Sequence, residues 1–397
     1  MRSKMNIPLA KPYIGEEEIE AVARVLRSGW LVQGTQAAEF EKMVSNVVGV
    51  RHAITTSSCT TALHMALLSL GIGPGDKVIL PAFSFVATAN AIEYTGATPL
   101  FVDIDLPTYN IDWRQVERCL ERNYYVKVIM PVHLFGLAAD MGYITMLASE
   151  YSSFIVEDAA CSLGAIYSGI PVGSMGIGCF SFHPRKSITT GEGGMVTTSN
   201  SVIANRINRL KDHGSGATSL TRHENWDPLM VGYDILGYNY RMTDIQAAIG
   251  IEQMKKLDYI IEQRTRRARI YDERLKEVEH LNTPVVPIGC KHVYQAYVIQ
   301  LDPVCRGVEL SSPYPEARNR VMAELGDRGI ATRQGTQAIH TLGYYQRKYG
   351  LKPEDYPNAL AADRLSIALP LYVQMTDEEQ EYVIENLVEV VGKEIGG

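Results

Sequence analysis

The stretch SFHPRKSITTGEGGMVTT, which spans Ser181–Thr198, places a single lysine between an apolar run and a turn rich in glycine. The preceding residues, IGCFSF at 177–182, are typical of a short buried strand, and the GEGG segment requires the backbone to bend. Lys186 therefore follows the end of a predicted strand, where α/β folds collect functional side chains. A lysine in a partly dry pocket can lose its proton and act as a nucleophile, whereas a solvated surface lysine carries no chemistry.

Short apolar runs alternate with helical patterns around this stretch. A helix is predicted near 16–26 from the spacing of Ile19, Val22, Ala23 and Leu26. The predicted strands are KVILPAF (77–83), TPLFVDID (98–105), VKVIMPVHLFG (126–136), SFIVEDAA (153–160), IGCFSF (177–182) and GMVTTS (194–199). This alternation predicts an α/β layer with a mostly parallel sheet that helices cover on both faces.

The final third of the chain has a different pattern. A long charged run at 243–278 predicts one helix or two, and an amphipathic helix is predicted at 376–395. Between them, 292–301 and 329–335 are predicted as strands. We therefore expect a large α/β domain at 1–262 and a smaller α+β domain at 263–397.

Composition excludes several classes of function. The 397 residues are 46% hydrophobic and 21% charged, as in an ordinary globular protein, and the formal net charge of -7 disfavours nucleic acid as a partner. The N-terminal residues contain no apolar run long enough for a signal peptide or membrane span, so we expect a cytoplasmic protein. The six cysteines form no CxxC pair, which predicts reduced thiols and no metal site. They are Cys59, Cys119, Cys161, Cys179, Cys290 and Cys305.

Residues 56–62, TSSCTTA, are predicted to begin a helix. Free backbone N–H groups at a helix N-terminus bind anions, so Cys59, Thr60 and Thr61 are candidates for a phosphate site. Plain capping by Ser57 or Ser58 explains the same residues without any ligand. Taken alone, the segment favours plain capping.

A pair of carboxylates, Glu157 and Asp158, ends the predicted strand FIV. A carboxylate there can hold a cationic ring nitrogen protonated, although an N-cap or a supporting hydrogen bond is an equal alternative. Phe85 offers an aromatic face, or is a core side chain. A phosphate site, a carboxylate, an aromatic face and Lys186 are together what pyridoxal phosphate requires, so we predict that cofactor.

Several motifs together resemble the DegT/StrS family of pyridoxal-phosphate-dependent sugar aminotransferases. The resemblance covers almost the whole chain, and FSFHPRKSITTGEGGMVTT is its most specific part. The other motifs are GEEEIEAVARVLRSGWLVQG, GIGPGDKVILPAFSFVATANAIEYTGATPLFVDID, VIMPVHLFGLAADM and GYNYRMTDIQAAIG. It implies the type I, aspartate-aminotransferase fold, with a mostly parallel seven-stranded sheet flanked by helices and a smaller α+β C-terminal domain.

The resemblance also implies roles for individual residues. Lys186 matches the Schiff-base lysine, Asp158 the aspartate at the pyridine nitrogen and Phe85 the aromatic residue that stacks on the ring. Asn239 matches an asparagine that reaches the phosphate from the neighbouring subunit, which implies a homodimer with shared active sites. The remaining candidates for cofactor binding are Cys59, Thr60, Thr61, Ser181 and His183. Cys161 stands where many members carry Gln or His, so we expect it only to line the pocket.

The implied reaction is transfer of an amino group from L-glutamate to a keto-sugar linked to a nucleoside diphosphate. It would be ping-pong, through the lysine's internal aldimine and pyridoxamine phosphate. Relatives that remove a sugar hydroxyl carry histidine in place of the lysine, so Lys186 favours transamination. A cyclitol ketone as acceptor, and a cofactor-bound regulator without turnover, stay open as alternatives. A nicotinamide-binding fold would need GxGxxG after the first strand, which is missing.

The sequence indicates the substrate-binding residues less specifically than the cofactor-binding residues. The candidates match segments that line the substrate cleft in similar enzymes or lie near it, and Arg333 among them is a candidate for binding a diphosphate. The alternative for each of them is a structural ion-pair or core residue, and that alternative is favoured for Arg333 and Trp30. They are Trp30, Arg241, Arg333 and His340.

Overall fold

The computed structural model describes residues 4–123, 125–216, 232–302 and 314–396, so Cys305 lies outside the described part. The helices are α1 (Glu16–Ser28), α2 (Thr35–Val48), α3 (Cys59–Ser69), α4 (Ala87–Thr95), α5 (Trp113–Arg122), α6 (Met141–Glu150), α7 (Ser201–Lys211), α8 (Asp244–Lys255), α9 (Leu257–Leu275), α10 (Tyr314–Asp327), α11 (Gly343–Tyr349), α12 (Pro357–Leu365) and α13 (Asp377–Gly396). The strands are β1 (His52–Thr56), β2 (Lys77–Pro81), β3 (Phe83–Ser84), β4 (Thr98–Val102), β5 (Val126–Ile129), β6 (Phe154–Asp158), β7 (Ile166–Tyr167), β8 (Ile170–Pro171), β9 (Ile177–Ser181), β10 (Gly194–Thr198), β11 (Leu281–Asn282), β12 (Cys290–Lys291), β13 (Tyr297–Leu301), β14 (Gln337–Ala338) and β15 (Ser366–Leu369).

A seven-stranded sheet in the order β1-β10-β9-β6-β5-β2-β4 forms the centre of the molecule. All strands run in one direction except β10, which is antiparallel to both β1 and β9. Alternate side chains along β2 enter opposite cores: Val78 and Leu80 pack with α3 and α4, and Ile79 packs with α5 and α6. The predicted α/β layer, with both faces covered, is therefore confirmed.

A second core surrounds the three-stranded sheet β11-β13-β15, with α10 and α13 packed on it. The long helix α9 contributes to both cores, because Leu257 and Ile261 pack with α2 and α8 while Tyr271 and Leu275 belong to the second core. The domain boundary that we propose after residue 262 falls between these two sets, inside one unbroken helix. Ile7 also packs in the second core, which ties the N-terminal segment to it.

Two strand predictions in the final third need correction. The segment 329–335 is not a strand and makes single bridges, from Ile330 to Ile7 and from Arg333 to Ala368. The Gln334 amide bonds the Thr336 carbonyl at 2.6 Å, which holds the backbone in a turn. Of 292–301, only β13 is extended in a sheet, because Tyr294 adopts a positive φ of 45° that ends regular pairing.

Helix α1 forms as predicted but presents a different face to the core. Its buried side chains are Glu18, Ala21 and Val25, while Ile19 and Leu26 are 54% and 55% exposed. Glu18 is buried because Lys256 bonds its carboxylate at 2.8 Å and the Gly15 N–H bonds it at 2.8 Å. A carboxylate whose hydrogen bonds are satisfied is thus tolerated on the buried face of α1, which is not the face that the apolar spacing predicted.

Asp244, the first residue of α8, fixes the N-terminus of another helix. Its buried carboxylate accepts hydrogen bonds from the backbone N–H groups of Gly34 at 2.7 Å, Gln36 at 3.2 Å and Ala37 at 3.0 Å. These donors belong to the start of α2, where backbone N–H groups lack intrahelical partners. One side chain therefore joins helices that lie more than 200 residues apart in the chain.

We predict that Asp244→Ala destabilises the protein by about 2 kcal/mol, because three buried N–H groups lose a charged acceptor. Urea unfolding followed by circular dichroism measures this difference. Asp258→Ala is the matched control, since Asp258 is exposed in the first turn of α9. Equal unfolding midpoints for the two variants would contradict the capping role of Asp244.

Candidate active site

Asp158 ends β6 and is only 4% exposed. Its Oδ2 accepts a hydrogen bond from the Thr88 hydroxyl at 2.7 Å, and its Oδ1 accepts one from the Ala160 N–H at 3.2 Å. Burial raises the pKa of Asp158, while Thr88, Ala160 and Lys186 act in the opposite direction. The sequence analysis did not single out Thr88. The sequence feature that points to it is its spacing of one helical turn from Ser84, and the two hydroxyl groups hydrogen-bond at 2.9 Å.

Glu157, the neighbouring carboxylate, points to the other face of the sheet. It is fully buried and accepts hydrogen bonds from the N–H groups of Gly173, Met175 and Gly176 at 2.7–2.9 Å. His133 Nδ1 accepts the Ala139 N–H, so its Nε2 carries the proton donated to Glu157 at 3.0 Å. Glu157 is thus engaged in structure, and Asp158 alone faces the candidate site.

Lys186 follows β9, and its Nζ lies 3.1 Å from the Sγ of Cys161. Burial lowers the pKa of Lys186, but the Cys161 sulfur, Cys59 and the Asp158 carboxylate outweigh it, so the net shift is upward. Cys161 was expected only to line the pocket. The structure places it as the hydrogen-bond partner of the lysine amine.

The N-terminus of α3 combines both predicted interpretations. Ser58 caps the helix, because its Oγ accepts the Thr61 N–H at 3.2 Å while Thr61 Oγ1 accepts the Ser58 N–H at 3.0 Å. The N–H groups of Cys59 and Thr60, at the first two helical positions, have no intrahelical acceptor and so are available to an anion. The Thr61 hydroxyl is engaged in the cap.

Strand β10 begins directly against this helix start. A Cβ built on Gly194 would lie 2.3 Å from the Ser58 carbonyl oxygen and 2.7 Å from the Cys59 nitrogen, so only glycine permits the approach. Gly194 pairs with Ser181, the last residue of β9. The glycine-rich turn therefore brings Ser181 and the α3 N-terminus to the same edge of the sheet.

His183 and Ser181 shape the turn before the lysine. The Ser181 hydroxyl accepts the His183 N–H at 3.4 Å, and His183 Nδ1 accepts the Arg185 N–H at 3.2 Å. Burial lowers the pKa of His183, against the opposing charge of Glu192. The ring is thus neutral at pH 7 and carries its proton on Nε2.

Phe85 is 60% exposed, although it is a large aromatic residue. Its carbonyl accepts the Thr88 N–H at 3.1 Å, so Phe85 lies one turn before the residue that bonds Asp158. An exposed ring at this position does not belong to the core, which was the alternative interpretation. It leaves an aromatic face free near the carboxylate.

Asn239 lies on an exposed segment next to the phosphate-site loop. Its backbone bridges Asp212, and the carbonyl of the following Tyr240 accepts the Ser57 N–H at 2.9 Å. Arg241 forms an ion pair with Asp212. The guanidinium predicted to contact substrate thus already has a carboxylate partner.

The other predicted substrate residues have different environments. Trp30 packs its indole against Gly34, in the loop that Asp244 holds. His340 is 0% exposed and its Nε2 lies 3.0 Å from the Pro353 carbonyl, so its ring is part of the core. Arg333 is exposed and lies beside β15. The structure therefore leaves Arg333 accessible and encloses His340.

These groups fit pyridoxal phosphate by their chemistry. A buried carboxylate suits a cationic ring nitrogen, free helix N–H groups suit a phosphate, and the Lys186 amine suits an aldehyde. Within the described ranges, no group of three or more His, Cys, Asp or Glu side chains is arranged to bind a metal ion. No helix of the described residues is long and apolar enough to span a bilayer.

We predict that Cys161→Ala lowers the pKa of Lys186 in the cofactor-free protein, because the sulfur that stabilises the ammonium is removed while burial stays. The pH dependence of Lys186 acylation, followed by mass spectrometry, measures this change. Cys119→Ala, in α5, is the matched control. An acylation profile identical to that of the wild type would contradict the pairing.

Comparison with known proteins agrees with this arrangement. The model of the DegT/DnrJ/EryC1/StrS aminotransferase family matches residues 12–388. The spore coat polysaccharide biosynthesis protein SpsC of Bacillus subtilis is 37% identical over 387 residues, covering 97% of both chains. The UDP-4-amino-4-deoxy-L-arabinose–oxoglutarate aminotransferase of Shewanella sediminis is 35% identical over 391 residues, covering 97% of this chain and 98% of that protein.

Solved structures give the same result. Spr1654 from Streptococcus pneumoniae, in its PMP form, matches with a TM-score of 0.89 at 30% identity and covers 99% of each chain. The type I fold, the pyridoxal phosphate cofactor and the aminotransferase activity implied by the sequence motifs are thereby confirmed. The chain belongs to the DegT/DnrJ/EryC1/StrS family of pyridoxal-phosphate-dependent sugar aminotransferases.

Proposed function

We propose that this enzyme transfers the amino group of L-glutamate to the keto group of a sugar linked to a nucleoside diphosphate. The observation that carries the proposal is the half-buried Lys186 amine, which lies 3.1 Å from Cys161 Sγ and within electrostatic reach of the buried Asp158 carboxylate. The names of two relatives supply the substrate class: one acts with a UDP-sugar and oxoglutarate, and the other belongs to polysaccharide biosynthesis. Oxoglutarate is the keto acid that glutamate becomes when it gives up its amino group.

Each residue of the site has a defined task in this proposal. Pyridoxal phosphate supplies an aldehyde that takes up an amino group and a ring that absorbs negative charge. Asp158 holds the ring nitrogen in its cationic form, and the N–H groups of Cys59 and Thr60 bind the phosphate. Phe85 covers one face of the ring. These assignments use side chains and N–H groups that the protein itself leaves available.

Lys186 is the proton carrier in the proposed reaction. With the cofactor bound, its amine would take the proton from the donor's Cα and would later give a proton back to the reacting group. Cys161 holds the amine in place, because its Sγ lies 3.1 Å from Nζ. Thr88 keeps the Asp158 carboxylate aimed at the site by its 2.7 Å hydrogen bond.

The acceptor is proposed to bind across the cleft lined by the predicted substrate residues. Arg333 is exposed and suits a diphosphate. Arg241 is paired with Asp212, so we assign it to orienting the Asn239 segment. His340 is enclosed, and we assign it to supporting the segment that follows β14, the strand that pairs with β3, rather than to contact with the sugar.

The decisive experiment is an absorption spectrum of the purified protein with pyridoxal phosphate, before and after addition of L-glutamate. We expect a band near the visible edge that shifts to the ultraviolet, followed by amination of a keto-sugar nucleotide. Lys186→Ala removes the proton carrier and slows turnover by about 10²–10⁴-fold. Lys276→Ala, at an exposed position, is the control. A wild-type spectrum that glutamate leaves unchanged would contradict the proposal.

We also propose that two subunits share each site through Asn239, which is exposed here. Mixing Asn239→Ala with Lys186→Ala protein, after subunit exchange, tests this. At limiting cofactor, a shared site restores about a quarter of the native sites, because half the dimers are hybrids with one intact site. Each variant mixed with itself is the control. Activity no higher than that of the unmixed variants would show that Asn239 serves its own subunit.

A further inference from the structure

A second arginine, Arg185, lies directly before the catalytic lysine and was not singled out from the sequence. It is exposed, as is Arg333. One belongs to the turn after β9 and the other to the segment that follows α10. The two guanidinium groups therefore come from segments that lie far apart in the chain.

Hydrogen bonds made through β13 and β15 connect these two segments. The Gln295 side chain donates to the Arg185 carbonyl at 2.7 Å, and Arg264 donates to the Gln295 carbonyl at 3.1 Å, so Gln295 is held from both sides. Three residues later, Val298 in β13 pairs with Ala368 in β15.

Ala368 in turn exchanges two backbone hydrogen bonds with Arg333, at 2.6 and 3.3 Å. Neighbouring strands in a sheet lie about 4.8 Å apart, so the backbone of Arg333 lies two strand spacings from that of Val298. The backbones of Arg185 and Arg333 are thus connected through β13 and β15, by the Gln295 side chain at one end and by the bridge to Ala368 at the other.

The two guanidinium groups differ from other arginines around the site. Arg241 is paired with Asp212, and buried Arg264 bonds backbone carbonyls. In the described part of the chain, no carboxylate forms an ion pair with Arg185 or Arg333. Partial burial, and then the charge of Arg333, lower the pKa of Arg185, which places the two cations within electrostatic reach of each other.

We propose that Arg185 and Arg333 together form a binding site for an oxyanion group of the substrate, next to Lys186. Two guanidinium groups held close without a counterion repel each other, and an anion that bonds both removes that repulsion. Each guanidinium offers a planar fork of donors that matches phosphate or carboxylate oxygens. The inference rests on the proposed function, which supplies two candidate groups, the acceptor's diphosphate and the donor's carboxylate.

The position next to Lys186 gives the site a function in the reaction. A substrate that is held by its anionic group beside the amine has its reacting carbon within a limited range of positions. The whole chain has a net charge of -7, which disfavours anion binding over most of the surface. A local pair of cations therefore attracts anions to this point. Arg185 and Arg333 are therefore binding residues, and they take no part in proton transfer.

The test compares holoenzyme carrying Arg185→Gln, Arg333→Gln or both with the wild type. Calorimetry measures binding of UDP and of inorganic pyrophosphate, and the spectral shift measures the apparent affinity for L-glutamate. Each single variant should weaken one class of ligand about tenfold, as expected for the loss of one charge-assisted contact, and the double variant should weaken it further. Arg122→Gln, an exposed arginine at the end of α5, is the matched control.

The outcomes separate the sources of the anion. Weaker UDP and pyrophosphate binding with unchanged glutamate affinity assigns the site to the diphosphate, and the reverse assigns it to the donor carboxylate. Unchanged affinities for all probes in the double variant, or no binding of any probe to the wild type, overturns the inference. Arginine-dependent pyrophosphate binding in a protein whose spectrum ignores glutamate would support the anion site and reject the proposed function.

Discussion

The burial of a negative charge at the end of β6 is the constraint that organises this site. Asp158 is 4% exposed, and an isolated carboxylate at such depth would take up a proton. The Thr88 hydroxyl, the Ala160 N–H and the nearby Lys186 ammonium oppose that tendency. The carboxylate in turn helps to raise the pKa of Lys186, so the two charges stabilise each other. Placement of α4, which carries Thr88, follows from this requirement as much as from packing.

The opposite face of the same strand holds the site rigid. Because successive side chains on a strand point to opposite faces, Glu157 turns away from the cofactor pocket when Asp158 turns towards it. Glu157 accepts hydrogen bonds from three backbone N–H groups and from His133. These bonds fix the turn at 173–176 and the segment that follows β5. The His133 backbone N–H also bonds the Asp158 carbonyl at 3.0 Å. A buried, fully bonded network on one face therefore positions the functional carboxylate on the other.

The features that the sequence predicted well are those set by local patterns. Ser58 as a cap, the strand before Lys186 and the covered sheet follow from capping chemistry and from runs of apolar residues. The mistakes involve partners distant in the chain. The buried Glu18 of α1 depends on Lys256, and the bond from Thr88 to Asp158 crosses 70 residues. No periodicity within a segment contains that information, which is why Thr88 and Arg185 were not found.

The distribution of charge supports the proposed anion site in a protein that is acidic overall. The net charge of -7 is an average over the surface, whereas binding responds to the potential within a Debye length of about 8–10 Å. Arg333 lies within electrostatic reach of Arg185, which directly precedes Lys186, and the Asp158 carboxylate interacts with that lysine. Arg241, by contrast, is neutralised by Asp212. In the proposed anion site, positive charge is therefore concentrated where an anionic group of the substrate would bind, while the net negative charge of the chain disfavours anion binding elsewhere.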